Sequence, residues 1–173
     1  MIWIYIIGAI VLLFGFVIAF GAPYVPSHRR DVRRVFTHLK VGRKDTIVDI
    51  GSGDGIVLRE AAKRGARGVG YELNPLLVLV SYLISLGDKN IRIHLANFWN
   101  VQLPKETTIV YSFATLRDRK KLAQKIQAES NRLKRPIQLL CYGNPFEDRQ
   151  PDESYEAYSL YRFQPLQSDK AQV

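Results

Sequence analysis

An internal disulfide framework is excluded at the outset, because the chain holds a single cysteine, Cys141. That scarcity suits a reducing compartment. Histidine is nearly as rare: His28, His38 and His94 lie apart with no metal-ligand spacing, so no metal centre is expected. No serine or cysteine is set with a histidine in a pattern that suggests a covalent nucleophile. Internal repeats and low-complexity tracts are absent. Acidic side chains are in deficit, 16 Asp and Glu against 25 Lys and Arg, which leaves a net charge of +9. That surplus permits a nucleic-acid partner or an anionic membrane surface. At 173 residues there is room for one domain with a sizeable core and little else.

Charge is missing altogether from Ile2 to Phe20. A helix of that length measures roughly 28 Å, close to the hydrocarbon thickness of a bilayer. A cleaved signal peptide would need a basic start and a shorter apolar core, and neither is present. Residues 1–22 are therefore expected to form a single-pass transmembrane anchor. Residues 23–44 follow as a basic juxtamembrane segment and helix, with Arg29, Arg30, Arg33, Arg34, Lys40, Arg43 and Lys44. By the positive-inside rule these cations place the rest of the chain in the cytoplasm, and they can lie against anionic lipids. Trp3, Tyr5 and Tyr24 suit the two interfaces. The second basic stretch, from Arg117 to Arg135, reads as a solvated helix face in preference to a nucleic-acid site.

The dinucleotide fingerprint is also absent. Val48-Asp49-Ile50-Gly51-Ser52-Gly53-Asp54-Gly55 reads as strand, glycine turn and helix start. Gly70-Tyr71-Glu72-Leu73-Asn74-Pro75 reads as a second strand ending in a carboxylate. Glycines at such a turn let the backbone approach a ligand closely. An acid at the tip of the next strand is placed to accept hydrogen bonds from ribose hydroxyls. The spacing, however, is G-x-G-x-G, without the third glycine of G-x-G-x-x-G. Asp54 would repel a pyrophosphate and suits an ammonium instead. The pattern resembles the S-adenosylmethionine (SAM) loop of Rossmann-like methyltransferases, which implies that Glu72 clasps the ribose.

The remaining pattern alternates strand and helix. Ser27 is the expected N-cap of a helix carrying Val32, Val35, Phe36 and Leu39. Strands are predicted at 46–50, 67–72, 91–96, 107–113, 137–142 and 155–163, and helices at 56–64, 75–86 and 117–134. The predicted class is α/β, a mainly parallel Rossmann-like SAM-dependent methyltransferase sheet with helices on both faces. It is assigned to residues 45–165, preceded by the transmembrane helix and followed by a disordered tail at 166–173. The helix from Leu76 to Leu86 is apolar nearly all round and too short to span a bilayer. Two readings stand: a helix sandwiched in the core, or one whose outer face touches lipid or a partner protein.

One family unites these features. An apolar span, Gly-Ala-Pro-Tyr-Val-Pro-Ser at 21–27, the 48–55 turn, Gly70 to Pro75 and Phe98-Trp99 after the third strand occur in that order. Together they resemble the membrane-anchored protein-lysine methyltransferases whose mitochondrial members modify ATP synthase subunit c and the adenine nucleotide translocase. The likeness covers residues 1 to about 115. It implies SAM as methyl donor, protein lysine as acceptor, and a cofactor site made of Asp49, Gly51, Ser52, Gly53, Asp54, Gly55 and Glu72. Asn97, where the family usually has Asp, is the expected contact of the adenine amino group, with Phe98 over the adenine face. Ser27 and its Pro-Tyr-Val-Pro segment are expected to close over the cofactor's methionine end or the acceptor channel.

Methyl transfer from a sulfonium needs alignment and exclusion of water more than a catalytic base. An aromatic pocket that desolvates the acceptor amine favours its neutral, nucleophilic form. Trp99, Tyr24 and Phe113, with Tyr111, are the candidates for that pocket. The expected partners are the bilayer, through the single-pass anchor and anionic lipids, and a protein with an acceptor lysine. A lipid, a small molecule or RNA as acceptor is the alternative, and a SAM-binding scaffold without activity is the weakest reading. The chain lacks the longer N-terminal extension of the mitochondrial members, which favours a prokaryotic cell membrane over the mitochondrial inner membrane.

Overall fold

A computed structural model of the chain describes residues 1–8, 11, 15, 27–113, 118–143 and 145–166. Seven strands form one sheet in the order β3-β2-β1-β4-β5-β7-β6. They are β1 Thr46–Ile50, β2 Arg67–Glu72, β3 Ile91–Leu95, β4 Ile109–Phe113, β5 Ile137–Tyr142, β6 Glu153–Tyr155 and β7 Tyr158–Phe163. The first five run parallel, while β7 is antiparallel to both β5 and β6. The sheet is thus mixed at one edge. The helices are α1 Arg29–His38, α2 Ile56–Ala62, α3 Pro75–Ile84 and α4 Arg119–Leu133, with a 3-10 turn, η1, at Phe98–Asn100.

Alternation along the strands sends side chains into two cores. On one face Val32, Val35 and Phe36 of α1 and Val57 and Ala61 of α2 pack on Ile47, Ile109, Tyr111 and Leu140. On the other, Leu122 and Ile126 of α4 pack on Val48, Val69, Val110, Leu139 and Tyr161. Gly68 and Gly70 let α2 press onto β2. A Cβ added at Gly70 would lie 2.5 Å from Ser52 Oγ and 2.7 Å from a Leu58 methyl. These two glycines hold the first turn of the sheet close to the second strand.

Three expectations change. The predicted last strand is a hairpin, β6 and β7, whose turn puts Glu156 at φ +51° without help from glycine. The N-cap of α1 is His28, not Ser27, and it makes no side-chain cap bond. The arginines of α1 are not free for lipid alone: Arg29 and Arg33 pair with Glu60 of α2 at 2.9 and 3.5 Å, and Arg34 pairs with Glu156. Glu60 is almost fully buried and also receives Lys63 at 2.7 Å, so it anchors α1 to α2.

Among the described residues, no helix is long and apolar enough to cross a membrane. Residues 2–8 are helical, and their apolar side chains are exposed. The remainder of the expected anchor, apart from residues 11 and 15, lies outside the described residues, as do Tyr24 and the tail from 167.

Candidate functional site

Strand order reverses direction between β1 and β4, and ligands in such sheets bind outside the carboxyl ends of the strands at that point. Asp49 pairs in register with Tyr111, and Ile50 with Ser112. The chain beyond β1 turns through Gly51, Gly53 and Gly55 at φ +68°, +53° and +79°, a region that disfavours any residue with a Cβ. Gly51 and Ser52 donate their N–H groups to the Tyr71 carbonyl at 2.9 and 3.2 Å, which ties the turn to β2. A cleft opens here, lined by Ser27, Asp49, Gly51, Ser52, Gly53, Asp54, Tyr111 and Phe113 among others.

Carboxylates dominate this mouth. Glu72, at the end of β2, accepts the Gly53 N–H on one oxygen at 2.9 Å and those of Leu73 and Asn74 on the other, each at 2.8 Å. Asp54 accepts the Ile56 N–H at 3.2 Å and is paired with Arg59, which also donates to the Asp54 carbonyl. Asp49 is buried beneath them, and no described residue donates a hydrogen bond to its carboxylate. Burial first, and then the charges of Glu72 and Asp54, push its carboxyl well above the usual range. A bound cation would reverse that penalty, whereas a phosphate would add to it. Ser52 Oγ is buried without a hydrogen-bond partner among the described residues.

Gly55 has a separate reason to be glycine. A Cβ there would sit 2.1 Å from Ser81 Oγ of α3, so its bare backbone is where α3 docks beside α2. The sequence placed Gly55 in the cofactor site; its direct neighbour is a helix.

The side of the cleft at β4 is aromatic. Ser27 Oγ and the Tyr111 hydroxyl share a hydrogen bond of 3.0 Å, which closes the start of α1 over β4. Burial pushes the Tyr111 hydroxyl far above the ordinary tyrosine range, so it stays neutral. Phe113 stands at the cleft, its ring 5.5 Å from that of Tyr142, and Tyr142 in turn meets Tyr158 edge-on at 5.0 Å. Tyr142 and Tyr158 escape a reading of the sequence; the apolar continuity of β5 hides that one of its ends carries a phenol beside Phe113.

Phe98 and Trp99 are placed elsewhere. Phe98 is buried in the core under α4, against Tyr71 and the Lys125 ammonium. Trp99 packs edge-on against Phe98 with Lys121 Nζ 4.4 Å from its ring centre. Neither lines the cleft: both lie in the 3-10 turn beyond β3, and they pack into the core on the sheet face opposite Tyr111. Asn97 stays at the tip of β3 next to β2, where its amide oxygen accepts the Trp99 N–H at 3.0 Å and caps η1. Tyr24 lies outside the described residues.

No protein-family model matches the chain. Among curated proteins, a lysine N-methyltransferase of the ATP synthase C subunit from Xenopus laevis is 32% identical over 136 residues, covering 77% of this chain and 58% of that protein. An adenine nucleotide translocase lysine N-methyltransferase of Mus musculus is 36% identical over 107 residues, covering 58% of this chain and 46% of that protein. The chain therefore spans about half the length of these relatives. Among solved structures, an RNA methyltransferase from Salinibacter ruber bound to S-adenosyl-L-homocysteine superposes with a TM-score of 0.70 at 23% identity. That alignment covers 83% of this chain and 95% of the other. The fold is that of the Rossmann-like SAM-dependent methyltransferases.

Proposed function

We propose that the chain is a SAM-dependent methyltransferase that modifies lysine on a membrane or membrane-proximal protein, with its N-terminal apolar segment as anchor. The observation that carries this reading is the buried carboxylate of Asp49, which takes no hydrogen bond from a described residue and lies under a left-handed glycine turn fixed by Glu72. A cleft lined by Asp49 and Asp54, with Glu72 bonded to its glycine turn, suits a cationic nucleoside and opposes a pyrophosphate. The relatives' names supply the acceptor class, and the residues of the cleft fit it.

When bound, SAM supplies an electrophilic methyl group on a sulfonium centre. The Glu72 oxygen that accepts the Gly53 N–H retains a lone pair for a ribose hydroxyl, while the other is filled by the Leu73 and Asn74 N–H groups. Asp49 is the counter-charge for the ammonium of the methionine end, and Ser52 Oγ is a spare donor and acceptor beside it. Asn97 at the tip of β3 is the side chain for the adenine amino group.

Phe113 and Tyr142 form the wall along which the acceptor side chain enters. A lysine of pKa ~10.4 is neutral in only about four parts in ten thousand at pH 7, and an aromatic wall lowers that pKa by withholding water from the ammonium. Tyr111 holds a neutral hydroxyl at the floor and, through Ser27, shuts out solvent. The work left to the protein is alignment of amine and methyl group.

The apolar helix at residues 2–8 exposes its side chains to the surroundings, which supports anchoring of the domain at the cytoplasmic face of a cell membrane. Anchoring raises the effective concentration of an acceptor held in the same membrane. Membranes incubated with the chain and methyl-labelled SAM test the reading. Label in protein, released as methyl-lysine, is expected; label confined to lipid or RNA would refute the acceptor, and no label would refute the activity.

A further inference from the structure

We propose that the apolar face of α3 lies flat on an anionic bilayer and seats the mouth of the cleft at the membrane surface. Ser81 is the one buried residue of this helix. Leu76, Leu79, Val80, Tyr82, Leu83 and Ile84 are exposed, and so are Leu73 before the helix and Leu86 after it. No charged residue interrupts them. An uncovered apolar surface of this kind marks a binding face. The helix is roughly 15 Å long, too short to cross a bilayer, so its place is in the plane of the interface.

Charge selects the occupant. The end of the sheet where α3 finishes carries Arg43, Lys44, Arg67, Lys89 and Arg92, all exposed and without an ion pair to any described residue. Of the acids nearby, Asp45 accepts from Gly42 and Thr108, and Asp88, itself exposed, accepts from the Asn90 N–H two residues on. Anionic headgroups complement this rim. A second copy docked on the same face would bring those cations against each other. The exposed apolar helix at residues 2–8 needs the same medium. The face starts at the site itself, because Leu73 and Asn74 donate to Glu72. Docking therefore presents the cleft to groups at the lipid surface, and it does so whether or not the chain transfers methyl groups.

The test uses the full chain in vesicles of phosphatidylcholine and phosphatidylglycerol. Leu83→Cys carries an environment-sensitive dye, with Leu79→Cys as a second position and Lys120→Cys on α4 as the control. The native Cys141 is buried, and burial pushes its thiol up to about 12, so it does not compete for label. Spin-labelled acyl chains are expected to cut emission from position 83 roughly in half, at the shallow depth of an interfacial helix, and to leave position 120 unchanged. Shielding should weaken in vesicles of phosphatidylcholine alone. A dye at 83 and 79 that stays in water while the chain floats with vesicles overturns the proposal and leaves the anchor standing. A chain that stays off vesicles, equal shielding in neutral vesicles, or shielding in detergent that tracks dimer formation also overturns it. A SAM titration of the same samples keeps the catalytic reading separate.

Discussion

The carboxylate of Glu72 sits 2.9 Å from the backbone N–H of Gly53, joining the tip of β2 to the glycine turn of β1. One side chain thereby fixes the turn and presents an anionic edge to the cleft. Glu72→Gln keeps one oxygen and loses the charge, and SAM affinity should fall at least about tenfold. Glu72→Ala leaves three N–H groups without their acceptor. It should abolish binding and cost roughly 1–3 kcal/mol of stability, as read by calorimetry and by denaturant unfolding.

Asp49 trades stability for binding. Its folded pKa is raised, so between the unfolded value of ~3.9 and the folded one the native state holds more protons, and stability falls as pH rises across that window. Asp49→Asn removes this loss. Its Tm should exceed that of the wild type at pH 7, by about 2–4 °C per kcal/mol for a chain of this size, and the difference should vanish at low pH. The same variant should lose SAM affinity. Thermal scans at the two pH values and a binding titration check both halves.

Gly55 and Ser81 should be coupled. Gly55→Ala drives a methyl to within 2.1 Å of Ser81 Oγ and strains a left-handed turn, at an expected cost of ~1–3 kcal/mol. Ser81 Oγ is buried without a partner among the described residues, so Ser81→Ala alone should be near neutral or stabilising. The double variant should recover the steric part and keep the backbone part. A double-mutant cycle in urea measures the coupling.

The aromatic wall should act on the acceptor and spare the cofactor. Phe113→Ala is expected to lower kcat/KM for a lysine peptide at least about tenfold while SAM affinity changes less than about twofold. Tyr111→Phe removes the bond to Ser27 and should cost about 0.5–1.5 kcal/mol. Steady-state kinetics with the peptide varied, beside a SAM titration, separates the two effects.

The first βαβ unit is legible in the sequence because its information is local: Gly51 to Gly55 and Glu72 lie within one supersecondary motif. The bond from Ser27 to Tyr111 joins residues 84 apart, and no short-range pattern announces it, so Ser27 reads as a helix cap. Phe98 and Trp99 are rightly placed at the end of β3. Residue spacing does not tell which face of the sheet they turn to, and Lys121 and Lys125 of α4 claim them. The hairpin between β6 and β7 reads as one strand because its left-handed residue is Glu156 and not glycine. Apolar composition alone leaves α3 equally suited to a core or a surface; the exposure of Leu79, Leu83 and Ile84 decides for the surface.

Methyl-lysine on membrane proteins, followed by mass spectrometry in cells that carry the wild-type chain or Glu72→Ala, tests the central claim most directly. The account predicts a methylated lysine that appears with the wild type and disappears with the variant. Identical lysine methylation in both, together with a purified chain that ignores SAM and binds a nicotinamide dinucleotide tightly, would contradict it.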